Sequence, residues 1–269
     1  MAAPAVSVKM AAHNHGAFIA QAIDSVLRQE TTFAYELIIA DDGSTDDTRP
    51  IVDEYERRHP DRITVLRSDG PLGMKQTFRR LWAACRGDQI ANLDGDDYWT
   101  RTDKLQLLHD LMQAHPECAV CFHNADILRT ADGSTTPSIA ACDEVVDPVA
   151  LLKMCFIPSC GVMVRREAVP TWPPGFDDVP MSDWPLYIIA AQRGTIRYVN
   201  QTMGVWRHHP GGAWAGGDES KQRKKITWQI QFYEWVGRYL GDRHAELVAN
   251  QLATLRELAS RPQGHRWPL

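Results

Sequence analysis

The sequence predicts an α/β fold with a mostly parallel central sheet and a C-terminal helical extension. Three observations predict it. Short apolar runs alternate with amphipathic helical stretches from Val6 onward, acidic turns close two of those runs, and the segment from about Glu219 to Ser260 carries helical periodicity alone. At 269 residues, 44% of them hydrophobic and 23% charged, the chain has room for one large domain with an appended tail.

Val6 to Val8 opens as a strand, followed by a loop Ala11-Ala12-His13-Asn14-His15-Gly16 and a helix with Phe18, Ala22, Ile23, Val26 and Leu27 on one face. Tyr35 to Ala40 repeats the strand, Asp41-Asp42-Gly43-Ser44 the turn, and a helix begins near Thr45 with Asp46 and Asp47 where carboxylates favour the dipole. Arg62 to Leu66 is a third strand, and Met74 to about Cys85 a third helix. A fourth strand, Gln89 to Ala91, then delivers Asn92-Leu93-Asp94-Gly95-Asp96-Asp97-Tyr98-Trp99. In parallel sheets ligands bind beyond the carboxyl ends of the strands, so Asp41-Asp42 and Asp94 to Asp97 are expected on one face.

Further on, a core helix spans about Asp103 to Ala114. Two strands are expected at Ala119 to Phe122 and Asp126 to Arg129, and the pattern from Ser134 to Val146 is too weak to assign. Asp147 to Lys153 reads as a short helix, Gly161 to Val164 as a strand, and Thr171 to Pro180 as a Pro-rich loop with Trp172 and Phe176. Ser182-Asp183-Trp184-Pro185 opens a helix with Pro in its first turn. Ile196 to Val199 and Met203 to Trp206 read as a strand pair leading into the loop Arg207-His208-His209-Pro210-Gly211-Gly212-Ala213-Trp214. Two amphipathic helices follow, the first rich in Trp228, Phe232, Tyr233 and Trp235; they cover the domain or form a homodimer contact.

Three carboxylates within four positions repel one another unless a cation or strong donors offset them, and their hard oxygens suit Mg²⁺ or Mn²⁺. An acidic turn capping the next helix is the plainer reading of the same residues. Asp42 and Asp183 likewise sit where a helix cap alone would explain them. The net charge of −5 gives no reason to expect nucleic acid as a partner. Lys221 to Lys225 is the one basic cluster, a solvated helix face that would also suit an anionic membrane surface. Six cysteines show no paired framework, and Cys118 and Cys121, although spaced like metal ligands, lie in an apolar run without a second pair. No apolar run approaches a membrane span and the first twelve residues lack a signal-peptide pattern, so the expected place is cytoplasmic, with a peripheral contact at the inner face of the membrane.

Taken together, Asn14, the Glu36 to Asp46 segment, Asp94-Gly95-Asp96-Asp97, Ser182-Asp183-Trp184-Pro185-Leu186 and Trp206-Arg207-His208-His209 resemble a family 2 glycosyltransferase of the GT-A fold, from about Val6 to Trp214. The resemblance implies a nucleotide-diphospho-sugar donor, UDP- or dTDP-sugar favoured, a divalent metal (Mn²⁺ or Mg²⁺), and inverting transfer to a hydroxyl of a glycan or lipid-linked glycan acceptor, as in polysaccharide or lipopolysaccharide assembly. By the same resemblance Asp42 matches the position that hydrogen-bonds the nucleobase, with Ala11, Asn14 and Asp41 bordering the nucleoside. Asp94, Gly95 and Asp96 match the DxD positions. Asp96, Asp97 and His209 are implied at the metal, with His208 as a substitute for His209, and Asp183 matches the catalytic base. Trp172 and Trp184 are expected to stack on the acceptor sugar. Ala11-Ala12-His13 departs from the Thr and aromatic often found before Asn14, which bears on base identity.

The expected layout is a glycosyltransferase domain over residues 1–215, its donor half about 1–125 and its acceptor half about 126–215, then a helical extension over 216–269. Three other functions compete. A noncatalytic sugar-nucleotide or glycan-binding module would keep the same motifs. A sugar nucleotidyltransferase would want a basic Gly-rich loop after the first strand, where Ala11 to Gly16 has no Lys or Arg, and a dinucleotide enzyme would want G-x-G-x-x-G there.

Overall fold

The computed structural model describes residues 3–212 and 219–261. Its strands are β1 (Val6–Ala12), β2 (Tyr35–Asp41), β3 (Ile63–Arg67), β4 (Gln89–Asn92), β5 (Tyr98–Trp99), β6 (Cys118–Arg129), β7 (Thr135–Pro137), β8 (Val145–Val146), β9 (Val162–Arg165) and β10 (Thr195–His208). The helices are α1 (Ile19–Leu27), α2 (Thr48–Arg58), α3 (Met74–Ala84), α4 (Lys104–Ala114), α5 (Asp183–Ala191), α6 (Glu219–Leu240) and α7 (Ala245–Ser260).

All strands join one sheet of order β3-β2-β1-β4-β9-β6-β10-β5, with β7 on β6 and β8 on β10. The first four positions are parallel, as βαβ connections require. The far half is mixed, because β9 enters antiparallel between β4 and β6 while β6 and β10 run parallel. The sheet is thus mixed and largely parallel, its parallel blocks β3-β2-β1-β4 and β6-β10 joined through the antiparallel β9.

Alternation along β2 divides the core. Leu37 and Ile39 join the α1, α2 and α4 side, and Ile38 and Ala40 the α3, α5 and α6 side. The second side is the more aromatic. Trp184 of α5 stacks on Phe232 of α6 at 4.1 Å, Tyr233 Oη donates to the Leu152 carbonyl, and Trp235 Nε1 to that of Pro174. Phe232, Tyr233 and Trp235 of α6 are thus spent within the chain, covering the domain. The boundary expected near residue 215, the loop end Ala213-Trp214 and the last residues of the extension lie outside the described residues.

Two pairs of expected strands are single strands. Both β6 and β10 continue through polar interruptions because each is the other's partner, β10 absorbing the mismatch by register shifts around Thr202. His123-Asn124, which breaks the apolar run of β6, is buried: the Asn124 side-chain amide donates to the Ile139 carbonyl and accepts from the Ile139 amide, while His123 Nδ1 meets the Asn124 carbonyl and its Nε2 has no partner among the described residues. The α2 helix begins at Thr48, later than Thr45, after Asp46 has folded back to accept from the Thr48 amide and hydroxyl. Among the described residues no helix is long and apolar enough to cross a membrane.

Candidate active site

The first two loops at the carboxyl edge are stitched together by side chains. Asn14, in the left-handed region at φ 56°, accepts from the Thr45 amide and donates its own amide to Ser44 Oγ. Asp41 is fully buried, its carboxylate held by Arg49 Nε at 2.6 Å and the Ser44 amide at 3.1 Å. The Asp42 oxygens each take one backbone donor from the loop before α3, the Leu72 amide at 2.7 Å and the Gly73 amide at 2.9 Å. The Gly95 amide donates to the Ala11 carbonyl at 2.9 Å. A Cβ at Gly95 would lie 2.6 Å from Ile19 Cδ1 and 2.9 Å from His15 Nδ1, so glycine lets the acidic turn lie against the first loop.

That turn separates its three carboxylates. Its closing bond runs from the Asp97 amide to the Asp94 carbonyl. Asp94 accepts from Ser159 Oγ, and burial, reinforced by repulsion from Asp96 and Asp183, raises its pKa to about 6. Asp96 keeps a partly exposed carboxylate whose Oδ2 lies 3.0 Å from His209 Nε2 and 3.7 Å from His15 Nε2. Asp97 is 1% exposed and accepts the Arg207 amide at 2.8 Å. Burial and the neighbouring Asp96 and Asp94 push it well above the ordinary carboxylate range.

The three-ligand set Asp96, Asp97 and His209 is accordingly not assembled. Among the described residues no three His, Cys, Asp or Glu side chains converge to hold a metal ion. Asp97 is a brace: it ties the acidic turn to β10, and Arg207 returns the tie by donating Nη1 to the Asp96 carbonyl and spreading over the Tyr98 and Phe18 rings. Strand alternation turns His208 away from the face that Arg207 and His209 share.

Asp183 is the first residue of α5, partly buried, with Oδ1 accepting the Trp184 amide. It is close enough to Asp94, Lys9 and Lys75 to bias their protonation. Lys9 is buried in β1, donates to Asn92 Oδ1 and lies 4.8 Å from the Phe78 ring; burial lowers its pKa, which Asp94 and Asp183 partly restore. Lys75 donates to the Met181 carbonyl at 2.8 Å and sits 3.7 Å over Phe176, and burial lowers it to about 8.

The two expected acceptor tryptophans differ in exposure. Trp184 is 6% exposed, its Nε1 bound to the Leu151 carbonyl and its face against Phe232, which makes it core. Trp172 packs on Phe176, Trp82 and Phe78 with the Arg79 guanidinium 5.1 Å above it. Trp184 is spent in closing the core between α5 and α6, whereas Trp172 in the aromatic loop is only partly buried. Lys9, Lys75, His15 and Arg207 were not among the expected site residues. A lone lysine inside the Val6 to Ala12 strand and an arginine two residues before His209 were the available signals.

A half-parallel sheet with helices on both sides, an acidic turn after β4 and a carboxylate heading α5 define an α/β glycosyltransferase of the GT-A type. The model of the family described as glycosyl transferase family 2 matches residues 7–169, and the chain belongs to that family. It is 34% identical over 216 residues to the uncharacterized protein Rv1520 of Mycobacterium tuberculosis, covering 78% of this chain and 60% of that one. It thus spans about three fifths of the length of that curated relative. Over 235 residues, 86% of each chain, it is 28% identical to the Escherichia coli UDP-Glc:alpha-D-GlcNAc-diphosphoundecaprenol beta-1,3-glucosyltransferase WfaP. Among solved structures, the mannosyltransferase PcManGT of Pyrobaculum calidifontis, in complex with GDP-Man and Mn²⁺, matches with a TM-score of 0.62 over 97% of this chain and 78% of that one, at 16% identity. At that identity the likeness speaks for the fold.

Proposed function

We propose that the protein transfers a sugar, with inversion, from a nucleotide-diphospho-sugar to an acceptor hydroxyl in glycan assembly, with Mn²⁺ or Mg²⁺ held at Asp96 and His209. The observation that carries this reading is the meeting of Asp96 Oδ2 and His209 Nε2 at 3.0 Å on the face that also holds Asp94 and Asp183. Two side-chain ligands fit a cation that takes its remaining oxygens from a diphosphate and water. The raised pKa of Asp94, caused by burial beside two carboxylates, marks a place short of positive charge. When bound, such an ion neutralises charge developing on the departing diphosphate.

The chain's own groups do the rest. Asp42 has both oxygens fixed by backbone amides, and each oxygen keeps a second lone pair for the N3–H of a uracil or thymine ring. Ala11, Asn14 and Asp41 shape that wall, while Asp94 stands where a ribose or sugar hydroxyl would donate to it. Asp183 takes the proton of the attacking hydroxyl, and a single displacement needs one such base. UDP is the favoured nucleotide, supported by the UDP-Glc named for WfaP.

Thermal melting with UDP tests the reading. Mn²⁺ and UDP together are expected to raise the melting temperature where UDP alone does not; equal shifts with and without metal would sink it.

A further inference from the structure

Lys9 is the one charged residue of β1, and strand alternation turns it to the α3 side of the sheet, where it lies over the Phe78 ring. It is buried, and a buried ammonium is unfavourable unless its donors are used. The strand register supplies the use. Lys9 stands directly opposite Asn92 of β4, and its Nζ donates to Asn92 Oδ1.

An ammonium can only donate, so it fixes which end of the neighbouring amide faces it. With Asn92 Oδ1 turned to Lys9, Nδ2 points the other way, reaching the Ser159 carbonyl at 3.3 Å and Asp94 Oδ2 at 3.5 Å. Ser159 Oγ donates to the same Asp94 Oδ2 at 3.2 Å. Both donors thus meet one oxygen of a carboxylate that is itself partly exposed, and Oδ1 keeps its lone pairs for a ligand. Asp94 is near enough to both Asp96 and Asp183 to feel the charge of each. It therefore neighbours the proposed metal and the proposed base. In a transfer the diphosphate sits at the metal and the attacking hydroxyl at the base, and the group between them is the donor's sugar.

We infer that Lys9 is a positioning residue for donor-sugar recognition: through Asn92, and together with Ser159, it holds Asp94 so that Oδ1 accepts from a hydroxyl of the transferred sugar. The inference rests on the transferase reading and deepens it by naming the residues that stand behind the sugar contact. Lys9 itself touches no substrate, and its hydrogen-bonded path to Asp94 runs through the Asn92 amide.

Calorimetric titrations in saturating Mn²⁺ test it with two probes: UDP, and whichever of UDP-glucose, UDP-galactose and UDP-N-acetylglucosamine wild type binds most tightly. K9M and N92A are each expected to lose about tenfold in affinity for the UDP-sugar and to stay within about twofold of wild type for UDP, whose base and metal are held by other residues. General damage from a buried substitution would weaken both probes alike, so equal losses overturn the inference. In a D94A background K9M should cause no further loss for the UDP-sugar, because the path ends at Asp94; an additive second loss overturns it as well. Should one of K9M and N92A fail to fold, the other decides, and wild-type affinities for both probes in either variant are a refutation that leaves the transferase reading standing. A wild type that binds UDP but none of the three UDP-sugars likewise overturns this inference alone. Failure of wild type to bind UDP or any of the three removes the transferase reading, and this inference with it.

Discussion

His209 Nε2 lies 3.0 Å from Asp96 Oδ2, although the two residues are 113 positions apart in the chain. The contact depends on the brace beside it, where the Asp97 carboxylate holds the Arg207 amide and fixes where β10 ends. If the pair holds the metal, Asp96→Ala abolishes the metal-dependent part of the thermal shift with UDP. His209→Ala weakens metal affinity by about tenfold or more, about 1.4 kcal/mol. Melting curves across a Mn²⁺ titration check both, and variants indistinguishable from wild type would remove the pair from the metal.

Asp183→Asn keeps the shape of the α5 start while removing the proton acceptor. Transfer is expected to fall by about 10²- to 10⁴-fold with UDP affinity nearly intact. Rates with a panel of acceptors, set beside the UDP melting shift, separate the two effects. Retained turnover would displace Asp183 from the role of base.

Trp184 belongs to the core, so its loss should be read in stability. Trp184→Ala is expected to cost about 3–5 kcal/mol in urea unfolding, and Trp184→Phe considerably less. A protein of unaltered stability whose defect lay only in acceptor KM would return Trp184 to the acceptor site.

Lys104 gives the clearest pH dependence. It is fully buried at the start of α4, its Nζ 3.8 Å over the Trp99 ring and without a hydrogen-bond partner among the described residues, and burial lowers its pKa to about 7 from 10.5. Between those values the folded chain keeps the amine neutral while the unfolded chain binds a proton. This group therefore lowers stability progressively as pH falls from 10.5 to about 7, where its penalty is complete, and imposes none above 10.5. Lys104→Met is expected to raise stability at pH 7 by a few kcal/mol, since each pH unit in that window costs roughly 1.4 kcal/mol, and to flatten the rise between about pH 7 and pH 9.5. Urea midpoints at both pH values decide, and identical slopes in both proteins would refute it.

Much of the parallel half of the sheet and of its acidic edge was legible in the sequence because its signals are local. Apolar runs ending in acidic turns locate β2 and β4, and parallel pairing puts those turns on one edge. Asp94 to Asp97 also announced its charge density. What the letters do not carry is direction, since a four-residue turn sends Asp96 toward His209 and Asp97 toward the β10 backbone. The joined strands were hidden for a related reason. His123-Asn124 looks like a loop until Ile139, fifteen residues beyond Asn124, supplies the partners of the Asn124 amide. Trp184 misled because an aromatic beside the proposed base suits a sugar as well as it suits Phe232, and only the return of α6 chooses between them.

That stacking has a practical outcome for anyone recombining this family. The residue after the proposed base is gripped by a helix from the far end of the chain, so the tail is a tool for aligning chemistry. A chimera joined near residue 215 would inherit its donor's tail and, with it, a foreign setting of Asp183. Exchanging tails between relatives should thus alter turnover before it alters what is bound, unless position 184 and position 232 travel together.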